Sequence, residues 1–393
     1  MDCKLSSSPS SDLVGMDSPR QELEKLLLLD SVDDVHVVGI CGMGGIGKTT
    51  LGMVLYDRIS HQFGACCFID DVSKMFRLHD GPLDVQKQIL HQTLGEDHHQ
   101  ICNLSTASNM IRRRLCRQRV LMIFDNVDKV EQLEKIGVCR EWLGGGSNII
   151  IISRDEHILK NFGVDEVYKV PLLDWSNSLQ LLCRKAFKLD HILNSYEGLV
   201  NGILHYANGL PLAIKVLGSF LFGRDISEWR SALARLRESP EKDVMDVLRL
   251  SFDGLKEQEK EIFLHIACFF NLVWGKYLKN VLNCCGFHAD IGLRVHIDKS
   301  LISIDADGFI RMHGLLEELG REIVQENSSK ERRKWRRLWF VKQVENVMLE
   351  KMVSSCLDIK KKNIFSFLLK LYIFEVLICF PFLQWFRKRV LKP

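Results

Sequence analysis

The 393-residue chain lacks three features that would have assigned its class early: a C-x-x-C pair, an apolar core behind the N-terminus, and an internal repeat of about 20–50 residues. Its thirteen cysteines are odd in number, and the close pairs, Cys66-Cys67 and Cys284-Cys285, are adjacent residues, which rarely bridge. That pattern argues against a disulfide framework. It predicts reduced thiols, most of them small core residues, in the cytosol or nucleus. The polar start M-D-C-K-L-S-S-S-P-S-S carries no secretory signal, and the missing repeat excludes a solenoid. An excess of one charge is missing too. A net charge of +3 is too small for a chain that coats nucleic acid along its whole surface. What is present, 46% hydrophobic and 26% charged residues, belongs to a folded protein with room for two or three domains.

Residues 1–20 are Ser-rich and read as a linker, and Q-E-L-E-K-L-L-L-L (21–29) as a short amphipathic helix. V-H-V-V-G-I (35–40), A-C-C-F-I-D (65–70), R-V-L-M-I-F-D (119–125) and S-N-I-I-I-I-S (147–153) are short, nearly continuous apolar runs. Separated by helical patterns, they predict a parallel sheet covered on both faces, an α/β fold. After about residue 170 strand signals fade. Residues 174–238 read as helices broken at N-G-L-P (208–211), and 243–325 as helices with one hairpin around Asp307-Gly308. The hairpin suggests a winged helix. The expected division is a linker (1–30), a nucleotide-binding α/β domain (31–170), a helical domain (171–240), a winged-helix domain (241–325) and a basic, then apolar, tail (326–393).

In that tail, K-E-R-R-K-W-R-R-L-W-F (330–340) mixes basic and aromatic residues, but Glu331 interrupts the run and a solvated linker is the plainer reading. The apolar stretch 364–386 is long enough to span a bilayer. Lys370 and Glu375 lie inside it, each costing about 2.5–3.5 kcal/mol at a membrane centre, so an anchor is not the expected outcome.

G-M-G-G-I-G-K-T-T, Gly42 to Thr50, fits G-x-x-x-x-G-K-[ST] at every position, after a strand and before a helix. Gly42, Gly44, Gly45 and Gly47, with Ile46 between them, let backbone N–H groups turn inward around phosphate oxygens. Lys48 reaches the β- and γ-phosphates, Thr49 offers a hydroxyl to Mg²⁺, and Thr50 can donate to the α-phosphate. Asp125, ending an apolar strand, is the expected second partner of Mg²⁺. Arg154 leaves the next strand where a γ-phosphate would lie. The residue after Asp125 is Asn126, where many phosphate-hydrolysing proteins have a second acid. An amide can orient a water but cannot take its proton. The expectation is nucleotide binding with very slow hydrolysis, raised by Asn126→Asp.

In this order the three elements resemble the NB-ARC module of plant intracellular immune receptors, in particular the subclass that carries a TIR domain. F-G-A-C-C-F-I-D-D-V-S (63–73), Y-K-V-P-L-L-D-W-S-N-S-L-Q-L-L-C-R-K-A-F (168–187), G-L-P-L-A-I-K-V-L-G-S-F-L (209–221), F-L-H-I-A-C-F-F (263–270) and R-M-H-G-L-L-E-E-L-G-R-E-I-V (311–324) extend the resemblance over about residues 12–350. It implies a P-loop domain, a helical domain and a winged-helix domain forming a switch, closed with ADP and open with ATP. It further implies that Pro211, Val14 and Gly15 pack near the adenine, that Arg154 reads the γ-phosphate, and that His313 contacts the β-phosphate of ADP. The family's usual Met-His-Asp is Met312-His313-Gly314 here. Glycine brings no charge and loosens the backbone, so a less secure ADP-held state is expected.

A TIR domain before residue 31 and leucine-rich repeats after residue 350 are missing, which suggests a truncated receptor. The expected partners are the nucleotide, full-length resistance proteins or a second copy of the chain, with no nucleic acid. An inert decoy, a winged-helix nucleic-acid-binding regulator and an ordinary P-loop enzyme remain as alternatives.

Overall fold

The computed structural model describes residues 13–330, apart from 30, 32, 79, 96–102, 138 and 237–240. The first domain runs α1 (Asp17–Leu26), β1 (His36–Cys41), α2 (Lys48–Ile59), β2 (Ala65–Ile69), α3 (Val72–Met75), α4 (Gly81–Leu94), α5 (Leu104–Leu115), β3 (Val120–Val127), α6 (Val130–Ile136), β4 (Asn148–Ser153), α7 (Glu156–Phe162) and β5 (Glu166–Lys169). All five strands are parallel, in the order β2-β3-β4-β1-β5. The four apolar runs become β1 to β4, with nearly every residue on them buried, as a sheet covered on both faces requires. β5 carries one buried residue in four, and that weak pattern is why it escaped the sequence. Helix α1 also starts at Asp17, inside the expected linker, with Pro19 tolerated in its first turn.

The sheet order decides where a ligand can sit. β1 lies between β4 and β5, while the chain leaving it pairs three strands away, so the crevice opens at the C-terminal ends of β1, β4 and β3. The glycine loop, Arg154 and Asp125 occupy those three ends.

The helical domain consists of α8 (Trp175–Ala186), α9 (Glu197–Ala207), α10 (Pro211–Leu221) and α11 (Ile226–Leu236). Asp174 caps α8 by accepting from Asn177 N at 2.7 Å, and Pro211 opens α10, where a missing N–H costs nothing. Trp229 closes its core, stacked on Phe187 at 5.3 Å and edge-on to Tyr196 at 5.1 Å.

The last domain holds α12 (Lys242–Asp253), α13 (Glu257–His265), α14 (Gly275–Cys284), α15 (Ala289–Asp298), the two-residue strands β6 (Ser303–Ile304) and β7 (Ile310–Arg311), and α16 (Gly314–Lys330). The hairpin around Asp307-Gly308 is the wing. Asp305 accepts from the backbone of Asp307 and Phe309 (3.1 and 2.8 Å), and Gly308 supplies the left-handed turn residue, φ 85°. The α/β P-loop domain, helical domain and winged helix thus appear in the predicted order. Among the described residues nine cysteines are free and no helix is long and apolar enough to cross a membrane. The apolar stretch 364–386 and the basic run after Lys330 lie outside the described residues.

Candidate functional site

Gly45 and Gly47 take φ 79° and 98°, values that side chains resist, and this turns the loop tightly enough to start α2 at Lys48. The first N–H groups of α2 point back into the loop, so the positive end of a twelve-residue helix faces the cradle. Lys48 is buried, and its ammonium donates to the carbonyls of Gly42 (2.7 Å) and Met43 (3.0 Å). Burial, then the nearby Arg154 charge, pushes its pKa down to about 8.

The Thr49 hydroxyl donates to both carboxylate oxygens of Asp125, at 2.9 and 3.1 Å. Burial pushes the Asp125 carboxyl up to about 6, against the hydrogen bond from Thr49. A hydroxyl and a carboxylate side by side form the hard oxygen donor set that Mg²⁺ takes, usually with a nucleotide phosphate and waters completing it. These two residues fit that role, and the ion would neutralise phosphate charge there.

Arg154 leaves β4 half-buried between the loop and the last domain. Its Nη1 donates to the Val247 carbonyl at 3.1 Å and lies 3.4 Å from the Ser251 hydroxyl, both on α12. A side chain at Gly44 would meet the same Nη1 at 3.2 Å and Val247 O at 3.4 Å, so loop, arginine and α12 converge at one point. Burial lowers the Arg154 pKa, while the charges of Asp125 and Asp71 oppose that shift.

The remaining predicted residues gather on the other side. Leu212 N donates to Gly45 O at 3.2 Å, which sets Pro211 and the start of α10 against the loop. Gly209 and Leu173 are joined by a backbone bond of 3.0 Å, and a side chain at Gly15 would strike Leu173 at 2.7 Å. Buried Val14, Gly15 and the Gly209–Pro211 turn therefore share one wall. His313 closes it from the last domain. Its Nδ1 accepts from Leu315 N at 3.2 Å, so its Nε2 carries the proton and donates to the Asn208 carbonyl at 3.1 Å. Gly314 beside it has open space in place of a side chain.

Asn126 has a partner that its sequence neighbours do not show. Its Nδ2 donates to Asp71 Oδ1 at 2.7 Å, so the amide has a carboxylate partner at the end of β2. Asp71, Leu212, Val247, Ser251 and the pair Asp155–Lys299 all border the site without having been singled out. Only Asp71 left a signal, since F-I-D-D ends an apolar run with acids as F-D-N does.

Two family models match in tandem: the NB-ARC domain over residues 19–191, and the Roq1-like disease resistance winged-helix domain over 256–328. Disease resistance protein RUN1 of Vitis rotundifolia is 39% identical over 329 residues, covering 84% of this chain and 24% of that protein. TMV resistance protein N of Nicotiana glutinosa is 35% identical over 353 residues, covering 88% of this chain and 30% of that protein. This chain thus spans less than a third of the length of these curated relatives. Among solved structures, the Walker-type ATPase of Pyrococcus abyssi superposes with a TM-score of 0.54 at 13% identity, over 79% of this chain and 97% of that one, a likeness of fold. With a glycine loop at the switch point of a parallel sheet, a winged helix behind it and both matching models in that order, the chain carries an NB-ARC domain followed by a winged-helix domain of the Roq1-like disease resistance type.

Proposed function

We propose that this chain is an ADP/ATP switch of plant disease resistance signalling, at most a slow ATPase. One observation carries the reading: the arginine expected to read a γ-phosphate is bonded to the winged-helix domain. Arg154 holds Val247 O and Ser251 Oγ on α12, and its chain neighbour Asp155 accepts from Lys299 Nζ at 2.8 Å. Cys41 Sγ, at the end of β1, lies 3.7 Å from Ser300 Oγ. His313 adds the bond to the Asn208 carbonyl in the helical domain. A γ-phosphate on the loop competes with α12 for the Arg154 guanidinium, because a charged bidentate acceptor outbids a carbonyl. ADP leaves those contacts in place. Nucleotide identity is thereby converted into the position of the last domain, which is what a switch needs.

Gly42 through Thr50 hold the phosphates in this reading, Thr49 and Asp125 serve Mg²⁺, and Val14, Gly15 and Pro211 enclose the base. The relatives' names support a role in disease resistance; in this reading it is exerted in the cytoplasm, through full-length receptors or self-association. The decisive experiment identifies the nucleotide that co-purifies with the full chain. ADP is expected with wild type, none with Lys48→Arg, and slower ADP release from Gly314→Asp, which adds a carboxylate at the first residue of α16. Wild-type protein that neither carries nor binds ADP would overturn the switch. An unchanged release rate in Gly314→Asp would refute the weak-latch reading of M-H-G alone.

A further inference from the structure

Asn126, which follows Asp125, is tied to a carboxylate one strand away. β2 pairs with β3 in parallel register, with Ile69 opposite Phe124, and continuing that register sets Asp70 level with Asp125 and Asp71 level with Asn126. Asp71 and Asn126 both adopt left-handed backbone, φ 44° and 53°, at the two strand ends. Such conformations are uphill for residues with a side chain and concentrate where surroundings enforce them. Here the enforced geometry joins the two side chains, Asn126 Nδ2 to Asp71 Oδ1 at 2.7 Å.

Asp71 also caps the short helix α3, its Oδ1 accepting from Lys74 N at 3.2 Å. The cap alone accounts for an Asp, Asn or Ser at this position. It does not account for a tie to Asn126, the residue after the Asp125 carboxylate that Thr49 holds at the glycine loop. Both donors use Oδ1, which leaves Oδ2 to accept from water.

Resting on the reading that the glycine loop holds ATP, we propose that Asp71 is the proton acceptor for the attacking water and that Asn126 positions it. The water oxygen bonds to the γ-phosphorus while the bond from that phosphorus to the β,γ-bridging oxygen breaks. The bridging oxygen leaves on ADP, the proton passes to Asp71, and inorganic phosphate is the other product. Asp71 is partly buried and accepts both protein hydrogen bonds through Oδ1, so Oδ2 is the atom that takes the proton. The arrangement reverses the expectation for Asn126→Asp. That variant removes the Nδ2 donor that holds Asp71 and sets a like charge in its place, so Asp71 is turned away from the water and turnover is lost instead of gained.

The test uses the full chain with Mg²⁺, reading affinity for a fluorescent ATP analogue separately from single-turnover release of labelled phosphate. Asp71→Asn keeps an oxygen for both donors, so α3 stays capped and Asn126 stays tied; only the proton-accepting charge goes. It should bind as wild type and lose about a hundredfold in turnover, the usual scale for a general base. Asn126→Asp should bind and turn over more slowly than wild type. Wild-type turnover in Asp71→Asn, faster turnover in Asn126→Asp, or wild type that binds ATP without ever hydrolysing it, overturns the proposal. Failure of wild type to bind at all overturns the underlying nucleotide reading as well, and is read in the binding arm.

Discussion

His313 shows how one side chain can tie two domains and give the fold a pH dependence. Burial holds its pKa below the ordinary 6.5, and Nδ1, accepting from Leu315 N, has no room for a second proton without losing that bond. A base depressed in the fold contributes stability that is complete above its unfolded value and lost as pH falls through the folded one. The stability that buried, neutral His313 contributes should therefore fall from about pH 6.5 downward, as protonation costs the bond from Leu315 N while Nε2 goes on donating to the Asn208 carbonyl. Thermal unfolding followed on both sides of that window should show a drop in midpoint on acidification. His313→Gln, neutral throughout, should show a smaller drop, and an equal one would remove the histidine from the account.

At the scale of elements, the helical domain depends on one ring cluster. Trp229 lies 1% exposed between Phe187 and Tyr196, with its Nε1 donating to Leu221 O at 3.2 Å, so α8, α10 and α11 meet on it. Trp229→Ala should cost about 3–5 kcal/mol, measured by denaturant unfolding, from lost burial, a cavity and an orphaned carbonyl. The consequence reaches the site because α10 carries the Pro211 turn and Leu212, which bonds to Gly45. Loosened nucleotide binding should accompany the lost stability; intact affinity would show that α10 is held by the loop instead of the reverse.

At the scale of the described molecule, the first and last domains are tied at the ends of β1 and β4. Asp155, which also caps α7 through His157 N, pairs with Lys299 at 2.8 Å with both side chains largely covered. Covered charge-assisted bonds contribute about 1.5–3 kcal/mol, more than exposed pairs. Lys299→Glu sets like charges in that contact. ADP release should quicken about tenfold, the rate equivalent of about 1.4 kcal/mol. Release at the wild-type rate would show that Arg154 and His313 suffice to hold the last domain.

Local pattern determined much of this protein. Buried apolar runs are unmistakable when both faces of a strand are covered, so β1 to β4 and the P-loop between β1 and α2 were legible, as was the wing at Asp307-Gly308. Lys48, Thr49 and Asp125 were legible for the same reason: their chemistry depends on short spacings and strand ends. β5 was not, because an edge strand with one buried residue has no periodic signature. Tertiary structure alone decided what distant residues do to one another. Register between β2 and β3 gave Asn126 a carboxylate partner 55 residues away, and docking of α12 gave Arg154 a carbonyl 93 residues away. A sequence displays which groups can donate or accept. Which of them face each other depends on strand order and domain packing, and those are properties of the folded chain.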